Sequence, residues 1–204
     1  MAGGVGWALA AATSACLATA SVSTPVPLEP RAEHSSGLAS KKGGPVIDLP
    51  PVLATLVDTH TGDRVALDSD RPDEARFDAL LADRVTGARE HLDPHLLELL
   101  RTLARAHPGA RIELVSGYRS AKLNEMLRKK GHHVASHSQH SLGHAVDFRI
   151  VPPGPEGSEE PLDPRVLEQE IRGGGWEGGT GVYLSATDRF VHADVGPNRR
   201  WNGL

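Results

Sequence analysis

From residue 53 onward, strand-type and helix-type apolar patterns follow one another without regular alternation, and this order constrains the fold most. A doubly wound sheet needs strand and helix to alternate. The irregular order predicts an α+β domain, with a small antiparallel or mixed sheet and flanking helices. The stretch "LATLVDTHTGDRVAL" (53–67) predicts a hairpin, because β-formers flank "THTGD" and Gly62 is free to take a positive φ. Asp93 and Pro94 are a cap and a first-turn residue for a helix whose Leu96, Leu99, Leu100 and Leu103 share one face. "RIELVSGY" (111–118) reads as a buried strand. Ser120 caps a second helix, with Leu123, Met126 and Leu127 on one face, that stops at Gly131. "HAVDFRI" (144–150) is a further strand, followed by a Pro- and Gly-rich polar loop. Asp163 and Pro164 open a short helix through Ile171. Two strands, in "GGGWEGGTGVYL" and "RFVHADVG", close the domain.

The N-terminal region differs. Residues 5–20 are apolar and uncharged, with an Ala-Thr-Ala cleavage signal at 18–20, although no Lys or Arg precedes them. Residues 1–20 are therefore expected to be a secretory leader, with export to the periplasm or cell envelope. The only cysteine, Cys16, lies inside this stretch, so a lipoprotein signal is the alternative; membrane contact is expected only through this leader, if retained or lipidated. Residues 21–44 are rich in Pro, Ser and Gly and read as a flexible linker, leaving 45–204 as the globular domain. With no cysteine there, neither a disulfide nor a thiolate is available to it. A formal net charge of −4 implies no broad basic surface, so no nucleic-acid partner is expected.

Eleven histidines raise the question of which ones carry chemistry. Side chains alternate faces along a strand. Asp147 and Ala145 share one face of "HAVDFRI"; Asp188, Phe190, His192 and Asp194 share one face of the last strand. If the two strands are neighbours, Asp147 and His192 converge, and Gly143 lets the loop bearing His140 fold back toward them. A His–Asp–His set suits a zinc ion and leaves a fourth position open. A histidine and an aspartate at this spacing also occur by chance, so the pattern alone leaves both readings open.

"SQHSLGHAVDF" matches S-x-H-x-x-G-x-A-x-D, and with "SGYRS", "NEMLR" and "FVHADVGPNRRW" it resembles the zinc peptidases related to D-Ala-D-Ala peptidases and the Hedgehog signalling domain. "THTGD" resembles more narrowly the murein endopeptidase K subfamily. The resemblance covers residues 50–204. It implies a Hedgehog/D-Ala-D-Ala-peptidase-like fold and one Zn²⁺ held by His140, Asp147 and His192. It also implies hydrolysis of the cross-linking stem peptides of peptidoglycan. Arg119 is implied to face the substrate and stabilise an oxyanion, and Ser138 to orient the ligand loop. Gly143 and Ala145 are expected to be small for close packing at the metal. Many relatives carry an acid three residues before the last ligand; here that position is Arg189. Asp194 is the expected general base, with Asp188 in reserve and a partner role to a ligand histidine as the alternative for Asp194. His144 is expected to be a bystander, and Trp176, Tyr183 and Trp201 to line a cleft or the core. A D-Ala-D-Ala carboxypeptidase and an inactive zinc-bearing wall-binding domain are the other functions open to this group.

Overall fold

The computed structural model describes residues 51–130, 138–155, 159–185 and 189–203. The expected leader and linker lie outside them, as do His132, His133, His137 and Asp188. Among the described residues, seven strands form one mixed sheet: β1 (Ala54–Asp58), β2 (Arg64–Leu67), β3 (Arg111–Ser116), β4 (Ala145–Val151), β5 (Gly179–Leu184), β6 (Arg189–Asp194) and β7 (Arg200–Asn202). Their order is β2-β1-β3-β4-β6-β5-β7. Only the β1–β3 and β5–β7 pairs are parallel. The α+β class is as expected, although seven strands make the sheet larger than the small one anticipated.

Among the described residues, four α-helices accompany the sheet: α1 (Glu74–Leu80), α2 (Pro94–Ala106), α3 (Ala121–Lys129) and α4 (Pro164–Gly173). Their starts follow from capping chemistry. Asp73, Asp93, Ser120 and Asp163 each accept a backbone N–H of the first turn through the side chain. α1 and β7 were not foreseen. α1 has only seven residues, and β7 has three with no alternating pattern.

One face of the sheet is sealed. Leu56, Ile112, Leu114, Val146, Phe148, Ile150 and Val191 lie fully buried in one core with Phe77 of α1, Leu96 and Leu100 of α2, and Leu167 and Ile171 of α4. Each such side chain contributes about 1.5–3 kcal/mol by leaving water. The alternate residues of β3, β4 and β6 point to the other face, and that face holds the polar cluster described next.

Candidate metal centre

The register places a row of residues across five strands. Ser116 of β3 pairs with Asp147 of β4, Asp147 with His192 of β6, His192 with Gly181 of β5, and Gly181 with Trp201 of β7. A register shift between Leu114 and Ser116 brings Ser116 into this row. His140 arrives from a single 3-10 turn, Gln139–Leu142. Gly143 ends that turn at φ 72°, and a Cβ there would lie 2.3 Å from the carbonyl oxygen of His91. Glycine is therefore needed for the left-handed backbone and for the approach of the α1–α2 connection, rather than for packing at the metal. Ser138 precedes the turn, and its side chain makes no cap hydrogen bond there.

The structure brings His140, Asp147 and His192 together, all buried. His140 Nε2 is 3.2 Å from Asp147 Oδ1 and 3.1 Å from His192 Nδ1; His192 Nδ1 is 2.7 Å from Asp147 Oδ1. Ligand atoms about 2.0–2.1 Å from a tetrahedral zinc would stand about 3.3 Å apart, so two of these separations match closely and the third is shorter.

The far nitrogens decide the tautomers. His140 Nδ1 lies 2.7 Å from the Gly117 carbonyl oxygen, which only accepts, so Nδ1 carries the proton and Nε2 presents a lone pair. His192 Nε2 lies 3.0 Å from Asp194 Oδ2, so an ionised Asp194 keeps the proton on Nε2 and the lone pair on Nδ1. Two imidazole lone pairs and a carboxylate oxygen then face one another, an arrangement that a cation relieves. The donor set fits zinc.

The protonation equilibria of the three groups differ. Burial pushes the His140 imidazole down to about 4, with the Arg119 charge adding to the shift, so it is neutral at pH 7. Burial opposes ionisation of Asp147. The two imidazoles beside it and the Arg119 guanidinium outweigh it, and the carboxyl lies well below the usual range. Burial lowers His192, but the Asp147 and Asp194 carboxylates outweigh it and raise it, so a proton and a cation compete for Nδ1. Asp194 is likewise disfavoured by burial and yet lowered, through His192, the Gly196 N–H and Arg199.

Arg119 stands beside the triad. It forms an ion pair with Asp147 Oδ2, and its Nε donates to Ser116 Oγ at 2.8 Å. Its backbone N–H donates to the His140 carbonyl oxygen at 3.1 Å. The outer oxygen of Asp147 is thereby held, and Oδ1 is left to face the histidines.

Asp194, the expected general base, meets the Nε2 edge of the His192 ring. It is fully buried on the far side of the His192 ring from the three converging atoms. Oδ1 accepts the Gly196 N–H at 2.8 Å, and Oδ2 also meets Arg199 Nη2 at 3.1 Å. Strand parity correctly put Asp194 on the His192 face, but parity does not tell which edge of the ring it meets. The geometry favours orientation of His192 over acceptance of a proton from water. His144 supplies no atom to the group.

Sequence reasoning did not single out Gly117, Ser116 or Asp83. The first two lie in "SGYRS", where the arginine drew the attention. Asp83 is buried, and its Oδ2 accepts the Ser120 N–H at 2.6 Å, next to Arg119. Nothing in the local pattern marks it. The aromatic wall is firmer than expected: the Trp201 ring centroid is 5.1 Å from His192 and its indole covers Gly181. Tyr183 stacks on Phe190 next to it, whereas Trp176 packs against the core.

A family model described as peptidoglycan L,D-endopeptidase MepK matches residues 64–201. A Haemophilus influenzae protein named probable peptidoglycan L,D-endopeptidase MepK is 32% identical over 131 residues, covering 63% of this chain and 64% of that protein. The Escherichia coli K12 protein named peptidoglycan L,D-endopeptidase MepK is 30% identical over 162 residues, covering 74% and 80% respectively. The chain thus spans just under two thirds of the first relative and four fifths of the second. No solved structure matches. The motifs, the sheet and the family match agree, and the chain belongs to the peptidoglycan L,D-endopeptidase MepK family.

Proposed function

We propose that the protein is an exported zinc peptidase that hydrolyses the cross-linking stem peptides of peptidoglycan in the periplasm or cell envelope. The observation that carries this reading is the convergence of His140 Nε2, Asp147 Oδ1 and His192 Nδ1 at separations of 2.7–3.2 Å, with both tautomers set by their partners. The names of the relatives support an L,D bond as the one cut. Zinc bound there would supply Lewis-acid polarisation of the scissile carbonyl and a nucleophile at neutral pH.

The chain's own residues do the rest. His140 and His192 present neutral lone pairs, held by the Gly117 carbonyl and the Asp194 carboxylate. Arg119 keeps Asp147 ionised and aimed, and its guanidinium beside the triad is the group assigned to negative charge developing on the carbonyl oxygen. Asp194 acts as the positioning partner of His192. Trp201 and Tyr183 wall one side of the site.

The test uses purified protein with zinc, with chelator and after zinc is restored, on cross-linked muropeptide dimers read by mass. Release of monomers that stops with chelator and returns with zinc is the expected result. Loss of a single terminal alanine would point to a carboxypeptidase instead. Binding without turnover in zinc-loaded protein would remove the enzyme reading altogether.

A further inference from the structure

The metal face of the sheet carries a second polar cluster that this mechanism does not use. Asp147, Arg149 and Val151 of β4 point to that face, and β3 sets Glu113 opposite Arg149 and Arg111 opposite Val151. The intervening Ile112, Phe148 and Ile150 are sealed in the core. Glu113 is the hub. Its Oε1 accepts from Arg111 Nε at 2.8 Å, and its Oε2 accepts from Arg149 Nε. Arg111 also pairs with Glu159, and Arg189 lies 3.5 Å from Asp163. Arg111, Glu113, Arg149, Val151, Glu159 and Arg189 border a groove of about 330 Å³.

Position and chemistry say what such a groove takes. Arg149 is two residues from the ligand Asp147 on one strand face, which is about 7 Å. A side chain of three methylenes covers a comparable distance from a backbone whose carbonyl lies at the metal triad. The groove offers both signs of charge at that distance. A guanidinium carries five N–H donors, and the bonds to Glu113 use Nε of each arginine, so the fork of Arg149 can still take a carboxylate. Glu113 is held ionised: burial opposes this, but Arg149 and Arg111 outweigh it.

We propose that the groove bounded by Arg149, Glu113, Arg111 and Glu159 is a subsite for a stem-peptide side chain that ends in both an amine and a carboxylate. This rests on the peptidase reading above. The residue concerned is the one that supplies the scissile carbonyl. Its terminal carboxylate pairs with Arg149, and its terminal ammonium with the Glu113–Glu159 side. Diaminopimelate has this chemistry; a lysine-type side chain, which lacks the carboxylate, leaves Arg149 unmatched.

The test compares zinc-loaded full chain on cross-linked dimers whose terminal side-chain carboxylate is free or amidated. Binding of the matching uncross-linked peptides is measured by calorimetry. The free form should be preferred about ten- to a hundredfold in kcat/KM, the range of a charged hydrogen-bond pair. Arg149→Gln should erase that preference while zinc affinity stays as in the wild type. Should Arg149→Gln fail to fold, Arg111→Gln, on the same hub and farther from the metal, should weaken the same preference. Equal cleavage of both dimers by the wild type, or an undiminished preference in a folded Arg149→Gln protein, overturns the subsite and leaves the peptidase standing. No cleavage of either dimer, with tighter calorimetric binding of the free form, overturns the peptidase and leaves the subsite standing.

Discussion

Replacing Asp194 by Asn separates the two roles open to this residue. The side chain is fully buried, so water does not replace the lost charge. In the variant, the carboxamide oxygen keeps the Gly196 N–H, which turns the NH₂ group toward His192 Nε2. Two donors cannot face each other, so the imidazole shifts its proton to Nδ1 and gives up the lone pair that faces Asp147 and His140. Loss of such a ligand partner typically lowers metal affinity about 10–100-fold, which is about 1.4–2.7 kcal/mol. Arg199 loses a partner too, but its side chain is 47% exposed and remains solvated. Competition against a chromophoric chelator gives zinc affinity, and peptide turnover is followed as zinc is raised. Affinity should fall by that factor, and saturating zinc should restore most of the turnover. Unchanged affinity with turnover down by about 10²–10⁴ at saturating zinc, the contribution of a general base, would refute the positioning role.

Three further outcomes follow from the fold. Asp83 accepts the N–H groups of Val85, Thr86 and Ser120, and despite burial these bonds lower its carboxyl to about 2. Because the folded value is depressed, the stabilisation is present above the unfolded value of 3.8 and is lost as pH falls toward 2. Urea midpoints should therefore drop by an equivalent of about 2 kcal/mol across that window, and Asp83→Asn should flatten the dependence. In Gly181→Ala, the new Cβ would lie 2.5 Å from the Trp201 indole, so β7 must shift; a cost of about 1–3 kcal/mol and altered tryptophan fluorescence are expected. Phe148→Ala opens a void at the centre of the core and should cost about 3–5 kcal/mol in denaturant unfolding.

Much of this architecture was readable from local chemistry. Asp93–Pro94 and Asp163–Pro164 announce α2 and α4 because a capping acid and a first-turn proline act within one turn of chain. Gly62, at φ 76°, marks the first hairpin for an equally local reason. Alternation also put Asp147 and His192 on facing sides, since it needs only the assumption that β4 and β6 are neighbours. What escaped depends on the rest of the molecule. β7 is a strand only because Trp201 lies over Gly181 and β5 offers an edge. α1 is capped by Asp73 and buries Phe77 and Leu80, but two apolar contacts in seven residues do not make a period. The edge of the His192 ring that Asp194 meets depends on Gly196 and Arg199 turning its carboxylate.

The five-strand row beneath the site also bears on kinetics. His192 is brought to Asp147 and His140 from 45 and 52 residues away, and the wall comes from β7, at the far end of the sheet. Contacts of such long sequence separation close large loops, an entropic cost that slows folding. A cation that needs all three ligands thus binds only once β6 is paired with β4. It recognises only the finished sheet, so its binding energy raises the barrier to leaving the native state without lowering the barrier to reaching it. Zinc in this protein would be a lock on unfolding rather than a guide to folding.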